Sequence, residues 1–197
     1  MNANQFILKN VRVSFPVLDN PRPAFGEQGE LKYSCNFIIS KDDAENLKTL
    51  RTHLKRALIE KFGSPEKLPI VLRKANLDTY LSAQGKDGWP MRDGDLVDRD
   101  GYEGSVFIKA TTKTPPFVLD VSGRPMVPNK IYAGCYVHAC LSAWAYDRQQ
   151  QGVAIGLAGV RFAEDGEAFG AGAAKADSFF DDLPADDNSA SSYDVPF

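Results

Sequence analysis

The chain has 197 residues, 43% of them hydrophobic and 25% charged, the composition of an ordinary globular protein able to bury a core without disulfides or a metal. No apolar run approaches the roughly 18 residues that span a bilayer, and three cysteines, Cys35, Cys135 and Cys140, are too few and odd in number for a disulfide framework. The net charge of −3 conceals an asymmetry: residues 164–197 carry nine acidic residues and one basic residue, so the remaining 17 acidic and 22 basic residues make a mildly basic body ahead of a strongly acidic tail.

The N-terminal MNANQFILKN lacks the charged, apolar and small-residue segments of a signal peptide, so the cytoplasm is the expected location. Residues 6–15, rich in β-branched and aromatic types, predict a strand. Pro16, Pro21, Pro23, Gly26 and Gly29 predict a loop over 16–30. In LKYSCNFII (31–39), Leu31, Tyr33, Cys35, Phe37 and Ile39 share one face, against Lys32, Ser34 and Asn36 on the other, which predicts a half-buried strand. A helix follows at about 42–62, with Ser40 as cap and Leu47, Leu50, Leu54, Ala57, Leu58 and Phe62 at helical spacing; Gly63 and Pro65 end it. His53, among those apolar rows, is expected to be partly buried.

A short strand is predicted near Ile70–Arg73. The glycine- and aspartate-rich stretch around 86–103 predicts a long exposed loop. Its aspartates, Asp93, Asp95, Asp98 and Asp100, raise a metal alternative, but no terminal bidentate glutamate completes an EF-hand loop, and a solvated turn cluster is the expectation. Residues 104–113, 131–146 and 153–162 predict three further strands, with DRQQQG as the turn between the last two. Beyond Phe162 the composition shifts to Gly, Ala, Ser and Asp, too polar to offset the entropy of ordering, so 164–197 predicts a disordered acidic tail. The expected fold is all-β with an inserted helix: an OB-fold-like barrel of five to six strands over 1–163.

Strand parity also picks out a candidate surface. In IYAGCYVHACLSAWAY (131–146), one face is uniformly apolar, while the other carries Tyr132, Tyr136, His138, Cys140, Trp144 and Tyr146. Aromatic rings on a wet face can stack unpaired bases, at roughly 1–3 kcal/mol per base. The plainer alternative packs these rings under a loop or another subunit. Tyr136, Trp144, Tyr132, Phe107 and Trp89 are the expected stacking residues, and Lys32, Lys109, Arg12 and Arg148 the expected phosphate contacts. The same parity separates Cys135 from His138 and Cys140, which with no fourth ligand argues against structural zinc. No phosphate loop, G-x-S-x-G or H-E-x-x-H is present, so neither an enzyme nor a cofactor is expected.

The terminal Asp194, Val195, Pro196 and Phe197 set an aromatic ring beside the α-carboxylate, with proline limiting the conformations lost on docking. This tip resembles that of bacterial single-stranded DNA-binding proteins. That resemblance implies recruitment of replication, recombination and repair proteins, and competition between the acidic tail and DNA. The body resembles the OB-fold single-stranded DNA-binding proteins of tailed bacteriophages through VRVSFPVL, LKYSCNFIISKDD, YAGCYVHACLSAWAYDRQQQGVAIGLAGVRF and DGEAFG. It implies cooperative, largely sequence-independent coating of single-stranded DNA in phage replication or recombination, with homo-oligomerisation an open question. The rival readings are a protein-interaction adaptor and a metal-dependent nuclease using the aspartates around 93–100.

Overall fold

The structure is a computed structural model that describes residues 4–24, 29–63, 88–148 and 151–169. Strand β1 spans Gln5–Pro23 and β2 Leu31–Ser40, followed by helix α1, Ala44–Phe62. Then come β3 (Arg92–Asp93), β4 (Ser105–Thr112), β5 (Phe117–Leu119), β6 (Tyr136–Asp147) and β7 (Gln151–Glu164). The sheet order is β3-β4-β2-β1-β6-β7-β5. A parallel pairing of Ala110 with Ile155 and Thr111 with Gly156 joins β4 to β7. That seam closes β1, β2, β4, β7 and β6 into a five-stranded barrel, with β3 and β5 as outlying strands.

Alternation decides which side chains fill the barrel. Tyr33, Cys35, Phe37 and Ile39 of β2, Val106, Ile108 and Ala110 of β4, and Val137, Ala139, Leu141 and Ala143 of β6 are all buried. The inward row read for 31–39 holds from Tyr33 onward, that for 104–113 holds, and that for 131–146 holds within β6, which begins only at Tyr136. Helix α1 closes the barrel interior with Leu47, Leu50, Leu54, Ala57 and Leu58, and packs mainly against β6 and β1. His53, half-buried, stacks on Phe6 with ring centroids 4.5 Å apart. The helix cap is Asp43, not Ser40: its carboxylate accepts from the Asn46 amide at 3.0 Å, and Ser40 instead bonds the Asp42 amide.

The loop expected over 16–30 is corrected in its first half. Strand β1 continues to Pro23, because β-bulges accommodate its prolines: the pairing with β2 shifts by one residue between Ser14 and Val17 and by three between Val17 and Arg22. One bulge lies between Ser14 and Val17, opposite Asn36 and Ser34, and puts Phe15 at φ 48°. A second lies between Leu8 and Val11, opposite His138, and puts Asn10 at φ 50°. There the Asn10 amide donates to His138 Nδ1 at 3.2 Å. The strand expected at Ile70–Arg73 lies outside the described residues.

Two further expectations are corrected. The segment entering β4 is no free loop: Trp89 is 2% and Tyr102 1% exposed. Trp89 belongs to the barrel core, whereas Tyr102 folds back over the outside of the barrel onto Ile38 and Phe107. The acidic extension does not begin unstructured. Glu164 still belongs to β7, and 165–169 lie across the barrel wall as a strap. No helix among the described residues is long and apolar enough to cross a membrane.

Candidate nucleic-acid interface

The outward-facing residues of β2 and β4 form the floor of a groove. Lys32, Ser34 and Asn36 alternate along β2, and Phe107, Lys109 and Thr111 along β4, in register with them. One wall is the bulged second half of β1, with Phe15, Val17 and Arg22. The other is the arm 92–104, which brings Arg92, Val97 and Arg99. Among the described residues, five cationic side chains thus line the groove (Arg22, Lys32, Arg92, Arg99 and Lys109), and no carboxylate does. In a protein with more acids than bases, such segregation makes a local positive field suited to a polyanion.

Local contacts prepare these cations. Arg99 sits over the Phe15 ring at 4.9 Å, and Arg92 lies 5.8 Å from the Phe107 ring. The Nε of Arg92 is buried with no hydrogen-bond partner, and burial lowers the pKa of its guanidinium. An acceptor from a ligand is what this group lacks. Glu30, at the rim, pairs with Lys32 at 3.4 Å and with Lys113. Those two lysines hold its carboxyl below the usual range.

The arm itself is pinned. Lys41 Nζ reaches Asp93 at 2.7 Å and Asp95 at 2.5 Å, and Asp95 also accepts from the Gly104 amide at 2.6 Å. Two of the four aspartates that invited the metal alternative are therefore tied to a lysine. Beneath the arm, the Tyr102 hydroxyl donates to Ser14 Oγ at 3.0 Å and lies 3.3 Å from the Asn36 amide nitrogen. That bridge ties the arm to both β1 and β2.

The groove gathers only part of the expected set. Lys32 and Lys109 line it with their side chains, and Phe107 lies in its floor at 3% exposure. Trp89 is in the core and cannot present its ring. Trp144, 46% exposed, stands beyond the groove edge. There Gly156 separates Thr111 of β4 from Ser142 of β6, and the Trp144 indole lies over Gly156, where a Cβ would come within 2.7 Å of it. Arg148 is exposed just past β6.

Arg12, Tyr132 and Tyr136 are elsewhere, under the strap. Arg12 donates to the Gly134 and Glu167 carbonyls at 3.1 and 2.7 Å, and Tyr132 bonds Asp165 at 2.9 Å. Arg12 is thus spent on main-chain carbonyls, not free as a phosphate contact.

Phe15 and Arg22 went unread in the sequence, while Arg92 and Arg99 stand out there only as basic residues of the 86–103 stretch that could clamp a strand. Parity places Phe15 with the buried Val11 and Val13. The bulge reverses it, and the ring emerges 55% exposed. Its only visible signal was the proline that follows it.

A closed five-stranded barrel whose second and third barrel strands floor an exposed binding face is the architecture of the oligonucleotide-binding OB-folds. Within that class the chain belongs to a bacteriophage family, whose model, described as the single-stranded DNA-binding protein of Enterobacter phage Enc34, matches residues 4–190. Protein p50 of Acyrthosiphon pisum secondary endosymbiont phage 1 is 34% identical over 178 residues, covering 89% of this chain and 92% of that protein. Among solved structures, the bacteriophage Enc34 single-stranded DNA-binding protein in complex with ssDNA superposes with a TM-score of 0.69 at 25% identity, over 86% of this chain and 91% of that one. The T7 single-stranded DNA-binding protein gp2.5 shares the fold at a TM-score of 0.55 and 16% identity, over 95% of this chain and 98% of that one.

Proposed function

We propose that this protein coats single-stranded DNA in phage replication and recombination, without sequence preference, and that the β2–β4 groove is where the strand lies. The observation that carries this reading is the set of five cations with no carboxylate among the described groove-lining residues, beside the exposed Phe15 ring. The cations neutralise phosphates and release counterions. Phe15 and Trp144 offer π-faces that any base can use. Lys32, Lys109, Arg22, Arg92 and Arg99 are the proposed phosphate contacts. Arg148, beside the β6–β7 turn, takes a peripheral place, since that turn corresponds to a loop OB-folds use to embrace the strand. Membership of an ssDNA-binding family supports the same assignment.

The acidic extension has a proposed role of its own. Its charge opposes that of the groove, so it competes with DNA for the same cations. The tip Asp194, Val195, Pro196 and Phe197, which lies outside the described residues, is suited to an apolar pocket with a basic rim on a replication or recombination partner. The proposed location is the host cytoplasm.

One titration of labelled oligo-dT across a range of salt tests the reading. If all five groove cations meet phosphates, log K against log salt has a slope of about −3.5. Truncation at residue 170 tightens binding at low salt, and the gain shrinks as screening increases. An oligonucleotide left free at micromolar protein overturns the assignment in favour of a protein-binding adaptor.

A further inference from the structure

The strap 165–169 covers three of the residues that the sequence pattern marks for nucleic acid. It lies on Tyr132, whose hydroxyl accepts from the Gly166 amide at 3.1 Å. It passes Tyr136, where a Cβ on Gly166 would come within 2.9 Å of the ring. It ends with Phe169 seated flat beneath Arg12, whose guanidinium carbon is 4.1 Å from the ring centroid. Gly101, at φ 74°, meets the edge of the ring beside the Arg12 guanidinium; any side chain there would collide with the Phe169 ring. The floor is the apolar cluster of Ile38, Tyr102 and Phe107. The seat therefore has a cation over one face of the ring and bare backbone at the ring's edge.

This slot adjoins the groove. The hollow that Phe169 borders is lined by Ser14, Phe15, Asp98, Arg99, Asp100 and Tyr102, and Phe15 and Arg99 also line the groove. The plug is lightly held: among the described residues its main chain makes one hydrogen bond, from the Phe169 amide to the Ala133 carbonyl at 2.9 Å. A planar base stacked on a guanidinium reproduces what the Phe169 ring does there.

We propose that the Arg12–Gly101 slot is a nucleobase subsite, plugged by Phe169 when no DNA is bound. An entering base displaces the ring and lifts the strap. That frees Arg12 from the Glu167 carbonyl and uncovers Tyr136, so the binding surface extends from the groove toward β6. The proposal rests on the groove being the DNA site and adds a ligand class, one unpaired base, to a position the groove itself does not include.

Amide hydrogen exchange on the full-length protein, with and without saturating oligo-dT, tests it directly. The Phe169 amide is expected to exchange at least tenfold faster in the complex, while barrel amides such as Ile108 stay protected. In parallel, Phe169→Ala is expected to bind oligo-dT about fivefold more tightly, and to keep that gain at high salt because no charge has changed. Unchanged or increased protection at Phe169 in a protein that does bind DNA overturns the subsite and leaves the groove assignment standing. So does a Phe169→Ala protein that binds no more tightly than the parent. Failure of both proteins to bind oligo-dT overturns both.

Discussion

Phe15 concentrates the trade between stability and binding at one position. It is a non-glycine residue at φ 48°, its ring mostly in water, with Arg99 as its aromatic–cation neighbour. A left-handed conformation costs an L-residue roughly 1–2 kcal/mol, and an exposed ring repays little of that by packing. Strain held at an exposed aromatic points to a binding role. Phe15→Gly is therefore expected to stabilise the free protein by about 1 kcal/mol while weakening oligo-dT binding about tenfold. Thermal melts and the salt titration measure the two effects separately; a variant that loses stability without losing affinity contradicts the assignment. Trp144 gives a second reading by fluorescence. Of the two tryptophans, Trp89 is in the core and Trp144 half-exposed, so DNA-induced quenching should largely disappear in Trp144→Phe.

Secondary structure was legible wherever alternation or helical spacing ran unbroken. Strands β2, β4 and β6 and the apolar stripe of α1 follow from pattern alone, because each sends one unbroken apolar row into the barrel. Legibility failed at the bulges. The pairing shift after Ser14 turned a residue with core parity outward, and the shift at Asn10 set a histidine against a backbone amide. It failed again over 86–103, where glycines and aspartates suggested solvent. There the deciding contacts, Lys41 with Asp93 and Asp95 and Tyr102 with Ser14, are long-range and leave no local period. Three of the groove's five cations, Arg22, Arg92 and Arg99, come from these two segments, which is why the site was harder to read than the barrel.

The helix start shows the opposite case, a local rule with two candidates. Asp43 caps the Asn46 amide and also accepts from the Asn46 side chain at 2.6 Å. Asn46 in turn binds the Lys9 backbone at both its amide and its carbonyl. Asp43→Ala should cost about 1 kcal/mol as a lost cap, with a further loss as Asn46 releases β1. Denaturant melts of Asp43→Ala and Ser40→Ala rank the two, and a larger effect at Ser40 contradicts the assignment.

Across the whole molecule, acid enters through two histidines before it reaches the carboxylates. Burial lowers the pKa of both, aided by Arg56 near His53 and by Arg161 and Lys9 near His138. The folded state therefore favours neutral imidazole and binds fewer protons than the unfolded chain. That stability is complete above the unfolded value of 6.5 and is lost as pH falls through the lower folded values. Protonation of His138 also removes the acceptor for the Asn10 amide. Glu30, Asp95 and Asp120, held low by Lys113, Lys41 and Ser122 respectively, keep their contribution until more acidic pH. The melting temperature should decline between pH 7 and 5, and His53→Gln or His138→Asn should flatten that decline; a parent curve level over this range contradicts it.

The barrel closes on its shortest pairing. Only Ala110 with Ile155 and Thr111 with Gly156 join β4 to β7, whereas β6 and β7 pair along most of their length. The ring's easiest fracture line thus runs between Thr111 and Gly156, beside the Trp144 indole. A nucleic acid reaching from Lys109 to Trp144 crosses that line from outside and acts as a suture. The amides of Ile155 and Gly156 should then open to solvent more slowly in the complex, so that the coated strand lends its own continuity to the wall that holds it.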